Sequence, residues 1–192
     1  EKLAGEETDH GAIVRRATEI AFHARQLDSA LEAVRIWVGI EPNSQAAKQM
    51  QATILLAGGK VDELAAILVR DLAGEGPRAG EAMLQLSRGF ARYPDRVAVS
   101  RLFEAIVTAF PLVPEAHLVL AQSALGVGDA EKARGALDRA LELRPDWELA
   151  ALAKADLTPK GGRQIEFLKT WLAANPAAQQ VRLAYARALV GE

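Results

Sequence analysis

The chain is 192 residues long and carries a formal net charge of -2, with 23 basic residues against 25 acidic ones. That balance leaves no basic footprint for DNA or RNA, and the absence of cysteine excludes disulfides and thiolate zinc sites. No apolar run approaches the roughly 20 residues needed to span a bilayer.

Half of the residues are hydrophobic and 5% are aromatic. Alanine and leucine dominate, which favours helices, because alanine loses no side-chain entropy in a helix and leucine loses little. Residues 1–9 are acidic and polar, and read either as a loose segment or as the tail of a preceding unit. The chain begins at Glu1 without a methionine, as a processed form or a fragment would. The periodicity then predicts helices over 11–25, 28–40, 44–57, 61–72, 78–91, 95–109, 114–126, 130–143, 147–157, 162–174 and 177–190. No strand is expected.

The helices are punctuated in pairs. Ala30, Val34 and Pro42 mark the second helix of the first pair, and Gly59-Lys60 the turn of the second. The third pair lacks a turn glycine and reads Ala91-Arg92-Tyr93-Pro94-Asp95, with larger residues at its small positions. Pro94 still breaks the first helix there, and Asp95 can cap the next. Pro111 closes this pair.

The fourth pair is the clearest: PEAHLVLAQSALGVGDAEKARGALDRALELRPDW, Pro114 to Trp147. Ala121, Ala133 and Ala140 are small where two antiparallel helices approach closely, and Leu120 and Leu137 fill the space beside them. Gly128 suits the left-handed position past a helix end, Asp129 can cap the next helix, and Pro145 stops it. In the fifth pair Thr158-Pro159 and Gly161-Gly162 separate the helices, and Asn175-Pro176 ends the second. Val181 to Val190 reads as the first helix of a sixth pair, whose second helix would be due at Gly191-Glu192.

Large-then-small residues, turn glycine, small-large-small residues and terminal proline, repeated at a spacing of ~34 residues, resemble the tetratricopeptide repeat (TPR). The resemblance implies an all-α, right-handed superhelical solenoid of TPR-type antiparallel helix pairs, about five and a half repeats over residues 10–192. Without a polar capping helix, such an array would be part of a longer one or would have its end covered by a partner or a second copy.

The chain shows no constellation for catalysis. His10, His23 and His117 are far apart, and there is no HExxH pair, nucleophile elbow or Walker loop. Gly58-Gly59-Lys60 and Gly161-Gly162-Arg163 are explained as turns by the repeat register. The neighbours Glu6-Glu7 and Asp62-Glu63 point in different directions on a helix and share no substrate atom. Neither enzymatic activity, a cofactor nor a metal is expected. Trp37 and Trp171 occupy the position of Ala140. They either fill space between hairpins or stand as exposed interface anchors; Trp147 lies in a turn between repeats.

In TPR proteins the first helix of each pair lines a concave groove. By resemblance, the groove-facing residues here are Arg15, Glu19, His23, Gln49, Thr53, Arg88, Arg92, Leu118, Gln122, Leu125, Leu183 and Arg187. Apolar patches between polar and basic points suit an extended segment or helix of another protein; the alternative is a set of plain solvated helix faces. The Hsp70/Hsp90-tail clamp of some TPR proteins is disfavoured. Its positions carry Arg15, Glu19, Met50, Glu81 and Gln85, and Glu19 and Glu81 would repel a carboxylate tail.

Arg15 to Pro42 (RRATEIAFHARQLDSALEAVRIWVGIEP), the fourth pair and the closing LAYARALV also resemble proteobacterial cell-envelope TPR lipoproteins and exported proteins. Some of these are adaptors for a carboxy-terminal processing protease. This implies a periplasmic scaffold, anchored to the outer membrane through a lipid on a removed N-terminus, with the catalytic residues on the partner. A cytoplasmic location stays open. Beside it stand a generic assembly scaffold for pili, secretion or wall synthesis, and the non-catalytic TPR portion of a larger enzyme.

Overall fold

The computed structural model describes residues 2–191. The side chains of the acidic segment 1–9, with its Glu6-Glu7 pair, lie outside the described residues, as does residue 192. Among the described residues the fold is all-α, with eleven α-helices and one short 3-10 turn. The helices are α1 (Lys2–His23), α2 (Leu27–Ile40), α3 (Gln45–Ala57), α4 (Val61–Gly74), α5 (Ala79–Phe90), α6 (Arg96–Ala109), α7 (Pro114–Gly126), α8 (Ala130–Leu143), α9 (Glu148–Leu157), α10 (Gly162–Ala174) and α11 (Gln179–Val190). Of the helix pairs expected from the sequence, α1–α2, α7–α8 and α9–α10 are packed together. The largest difference is α1, which begins at Lys2 rather than at residue 11. That stretch is polar, but it contains no proline and is rich in good helix formers, so a helix remains favourable through it. Residues Gly76–Arg78 form a separate 3-10 turn ahead of α5.

The chain divides into two compact units, Glu1–Ile67 and Leu68–Glu192, with the division inside α4. In the first, α1 packs on α2 and α2 on α3 around Ala30, Leu31, Val34, Ile54 and Leu55, all buried. The α3–α4 turn places Gly59 at φ +69°, the left-handed region in which a Cβ is strained. Arg25 takes the same conformation between α1 and α2. Arg35 of α2 and Glu63 of α4 form an ion pair at 2.5 Å.

In the second unit the helices stack in series. α7 contacts α5, α6 and α8, α8 contacts α9, and α9 meets both α10 and α11. Hairpin α7–α8 follows the repeat logic closely. Gly128 sits at φ +81°, and the Asp129 carboxylate accepts from the Lys132 amide at 2.9 Å. Leu137 is buried among Ala121, Ala133 and Ala140. The turn beyond it is braced by Arg144, which pairs with Glu115 and lies 4.5 Å over the Trp147 ring. Glu115 in turn lies against Gly80 of α5, where a Cβ would come within 2.5 Å of its carboxylate oxygen.

Hairpin α5–α6 is built differently. α5 ends at Phe90 with no left-handed residue, and Asp95 caps α6 by accepting from the Ala98 amide at 2.9 Å. Phe90 meets Phe103 edge-on, with ring centroids 6.3 Å apart.

The tryptophans fill space and do not stand exposed. Trp37 is 3% and Trp171 9% accessible, because a large ring at a position facing the next hairpin is taken up by packing. The Trp37 indole donates to Glu41 at 3.1 Å, whereas the Trp171 indole N–H is buried without a partner.

Candidate functional site

The residues of the first unit that were expected to face a groove are held by local interactions. Arg15 donates to Glu19 at 3.0 Å and lies 5.8 Å from the Trp37 ring centroid. Arg16 also reaches Glu19, at 3.5 Å. The hydrogen bond from Arg15 holds the Glu19 carboxyl below its usual range, aided by both positive charges. Thr53 donates its hydroxyl to the Gln49 carbonyl at 2.9 Å. His23 and Gln49 are exposed, and His23 ends α1. A cavity of about 230 Å³ in this unit is lined by Leu27, Leu31 and Ile54. Its polar edge is occupied by the Lys60–Asp28 pair, 3.4 Å apart.

The second unit holds the remaining residues. Leu118 is removed from the set: it is 0% accessible and part of the α7–α8 core. An α7 that packs on α5, α6 and α8 has apolar neighbours on more faces than a two-sided helix, so an aliphatic residue counted as groove-facing is drawn inside. Gln122 and Leu125 are exposed on α7, as are Leu183 and Arg187 on α11. Arg88 lies in the last turn of α5, and Arg92 follows in the turn. Both are exposed, and neither has an ion-pair partner among the described residues.

Gln122 lines a cavity of about 140 Å³ between α5, α6 and α7, and Arg88, Arg92 and Leu125 each stand next in the chain to a residue that lines it. The apolar lining is Phe90, Val99, Phe103 and Val119, and the polar lining includes Ser87, Arg96, Gln122 and Ser123. Both serine hydroxyls donate to carbonyls of their own helices, Ser87 to Leu84 and Ser123 to Leu120, each at 2.9 Å. Arg96 donates one N–H to the Ala91 carbonyl, which anchors the guanidinium across the α5–α6 turn; an arginine has further N–H donors to offer. Burial, with the Asp95 charge adding to it, pushes the Tyr93 phenol above its usual range, so this ring stays neutral.

The cavity was not read from the sequence, although a signal for it was present. One repeat of ~34 residues before Ala124 and Ala133 stand Phe90 and Val99, so the third pair carries bulk where the fourth carries methyl groups. Bulky residues hold neighbouring helices apart, and the space they leave is shaped by packing rather than by register.

Among the described residues, no three His, Cys, Asp or Glu side chains gather as a metal site, and no helix is long and apolar enough to cross a membrane. His117 is buried, with Nε2 2.9 Å from the Pro111 carbonyl.

No protein-family profile and no curated protein sequence matches the chain. Solved structures do. TTC0263, a thermophilic TPR protein of Thermus thermophilus, is 21% identical over 94% of this chain and 99% of its own, with a TM-score of 0.46. A tetratricopeptide repeat protein from Parabacteroides merdae is 15% identical over 94% of this chain and 72% of its own, at 0.47. The TPR2AB domain of yeast Sti1, solved with pHSP90, is 11% identical over 94% and 99%, at 0.46.

Proposed function

We propose that the chain is a protein-interaction scaffold, and that the exposed faces of α5 and α7 receive a segment of a partner protein. The observation that carries this reading is Arg88 and Arg92, two exposed arginines without ion partners, each next in the chain to a residue that lines a partly apolar cavity. Unpaired cations beside apolar surface are what a partner with apolar anchors and oriented polar contacts requires. At the finer level, the resemblance to cell-envelope TPR proteins supports a periplasmic adaptor, lipid-anchored to the outer membrane, that delivers substrates to a carboxy-terminal processing protease or assembles it. The test is reconstitution: the full-length gene product, captured from its own cells, should co-purify with such a protease, and the two purified proteins should form a complex by light scattering. A defined partner of another kind would leave the scaffold reading and remove the adaptor. No partner at all would remove both.

A second reading rests on α11, whose Leu183, Leu189 and Val190 are exposed, Val190 to 88%. Such a face supports self-association or an assembly role in a pilus, secretion or wall-synthesis machine. Sedimentation at several concentrations should show a mass that rises with concentration; a constant monomer mass sinks it.

A further inference from the structure

We propose that the α5–α6–α7 cavity is the specificity pocket of this scaffold, taking one leucine-sized apolar side chain from an acidic segment whose flanking carboxylates meet Arg88, Arg92 and Arg96. The proposal deepens the scaffold reading and rests on it.

Size comes first. At about 140 Å³ the cavity falls short of the roughly 300–1,000 Å³ of small-molecule and cofactor sites, but it suits one aliphatic side chain. Its walls agree, since Phe103 and Val119 are buried apolar residues and Phe90 is half-buried. The polar edge does not compete for such a guest, because Ser87 and Ser123 already spend their hydroxyl protons on their own helices.

Charge decides the rest of the guest. Between Ser87 and Arg96 the chain carries three arginines and one carboxylate. That carboxylate, Asp95, accepts from the Ala98 amide and so serves the cap of α6. A segment of net negative charge is therefore attracted and a basic one repelled. The arginine fork favours an anionic acceptor such as a carboxylate over a neutral one, because two parallel N–H groups match its two oxygens.

Gly126 supplies the means of testing the pocket alone. It lines the cavity, and a Cβ there would have as its nearest neighbour only the Arg96 Cδ, at 3.9 Å. Gly126→Leu therefore starts from an uncrowded Cβ position to fill the space, and Ser123→Met offers a second filling from the same helix.

The probe is a fluorescein-labelled peptide, Gly-Ser-Asp-Glu-Leu-Asp-Glu-Ser-Gly, titrated with the full chain and read by fluorescence polarisation. Exchanging its leucine for serine should weaken binding about tenfold or more, the scale of one apolar side chain returned to water. Gly126→Leu and Ser123→Met should each weaken the leucine peptide by a similar factor and leave the serine peptide unchanged. Arg88→Glu/Arg92→Glu should weaken both peptides, and with it the dependence on salt should flatten. Circular dichroism and the melting temperature identify any variant that fails to fold, in which case the other filling variant decides. Equal binding of the leucine and serine peptides, or leucine-peptide binding untouched by a folded filling variant, overturns the pocket. So does the absence of any peptide binding. Failure of the scaffold reading looks different: the wild-type full-length protein then retains no cellular partner. If it retains one that folded Gly126→Leu retains equally, the scaffold stands and the pocket falls.

Discussion

Hairpins α5–α6 and α7–α8 are neighbours built on one plan, and they solve the same packing problem in opposite ways. In α7–α8 alanines at the crossing let the helices close on Leu137, and Gly128 turns the chain at φ +81°. In α5–α6 the corresponding alanines give way to Phe90 and Val99, Pro94 stands near the turn, and the fit is made by Phe90 against Phe103. The first hairpin closes on its own core and lends one side of α7 to its neighbour's cavity. The second leaves a cavity whose polar lining includes Arg96.

Substitutions in the two hairpins test that contrast. Leu137→Ala should have the largest effect, about 2–5 kcal/mol, because its side chain is fully buried in a close-fitted cluster; urea denaturation measures it. Phe90→Ala makes the third hairpin more like the fourth in sequence, yet should destabilise by about 2 kcal/mol, below the full cost for a buried aromatic because the ring is only partly buried. If the melting temperature rises instead, the aromatic pair is not what supports this hairpin. Gly128→Ala should cost about 1–2 kcal/mol from the left-handed backbone alone, since nothing lies within 4 Å of its Cβ position. The smallest change is also the one shared by both hairpins. Asp129→Ala and Asp95→Ala should each cost about 1 kcal/mol, and unequal losses would mean that the two caps, both at 2.9 Å, are not equivalent.

Which of the expected groove residues are exposed was legible only in part, for reasons visible residue by residue. Counting along the first helices placed Arg88, Arg92, Gln122 and Leu125 on exposed ground, but the same count placed Leu118 there, and it is buried. Register tells which way a residue points from its own helix, not how many other helices wait on that side. Arg15 and Glu19 show the same gap. Both are where a groove residue would be, but they are engaged with each other. Trp37 and Trp171 were open between core and surface, and packing decided for the core, at the cost of an unpartnered indole N–H in Trp171.

By itself the sequence determined what local chemistry can determine. Helix runs, the glycine turns at residues 59 and 128 and the caps at Asp95 and Asp129 follow from propensity, backbone geometry and nearby hydrogen bonds, all of which act over a few residues. The tertiary structure alone decided that Leu118 is inside, and that Phe90, Val99, Phe103 and Val119 from three helices line one cavity together with Arg96. Cavities are set by how bulky side chains from distant parts of a chain fail to interlock, and a stretch of sequence read alone can show the bulk but not the size or lining of the space it leaves.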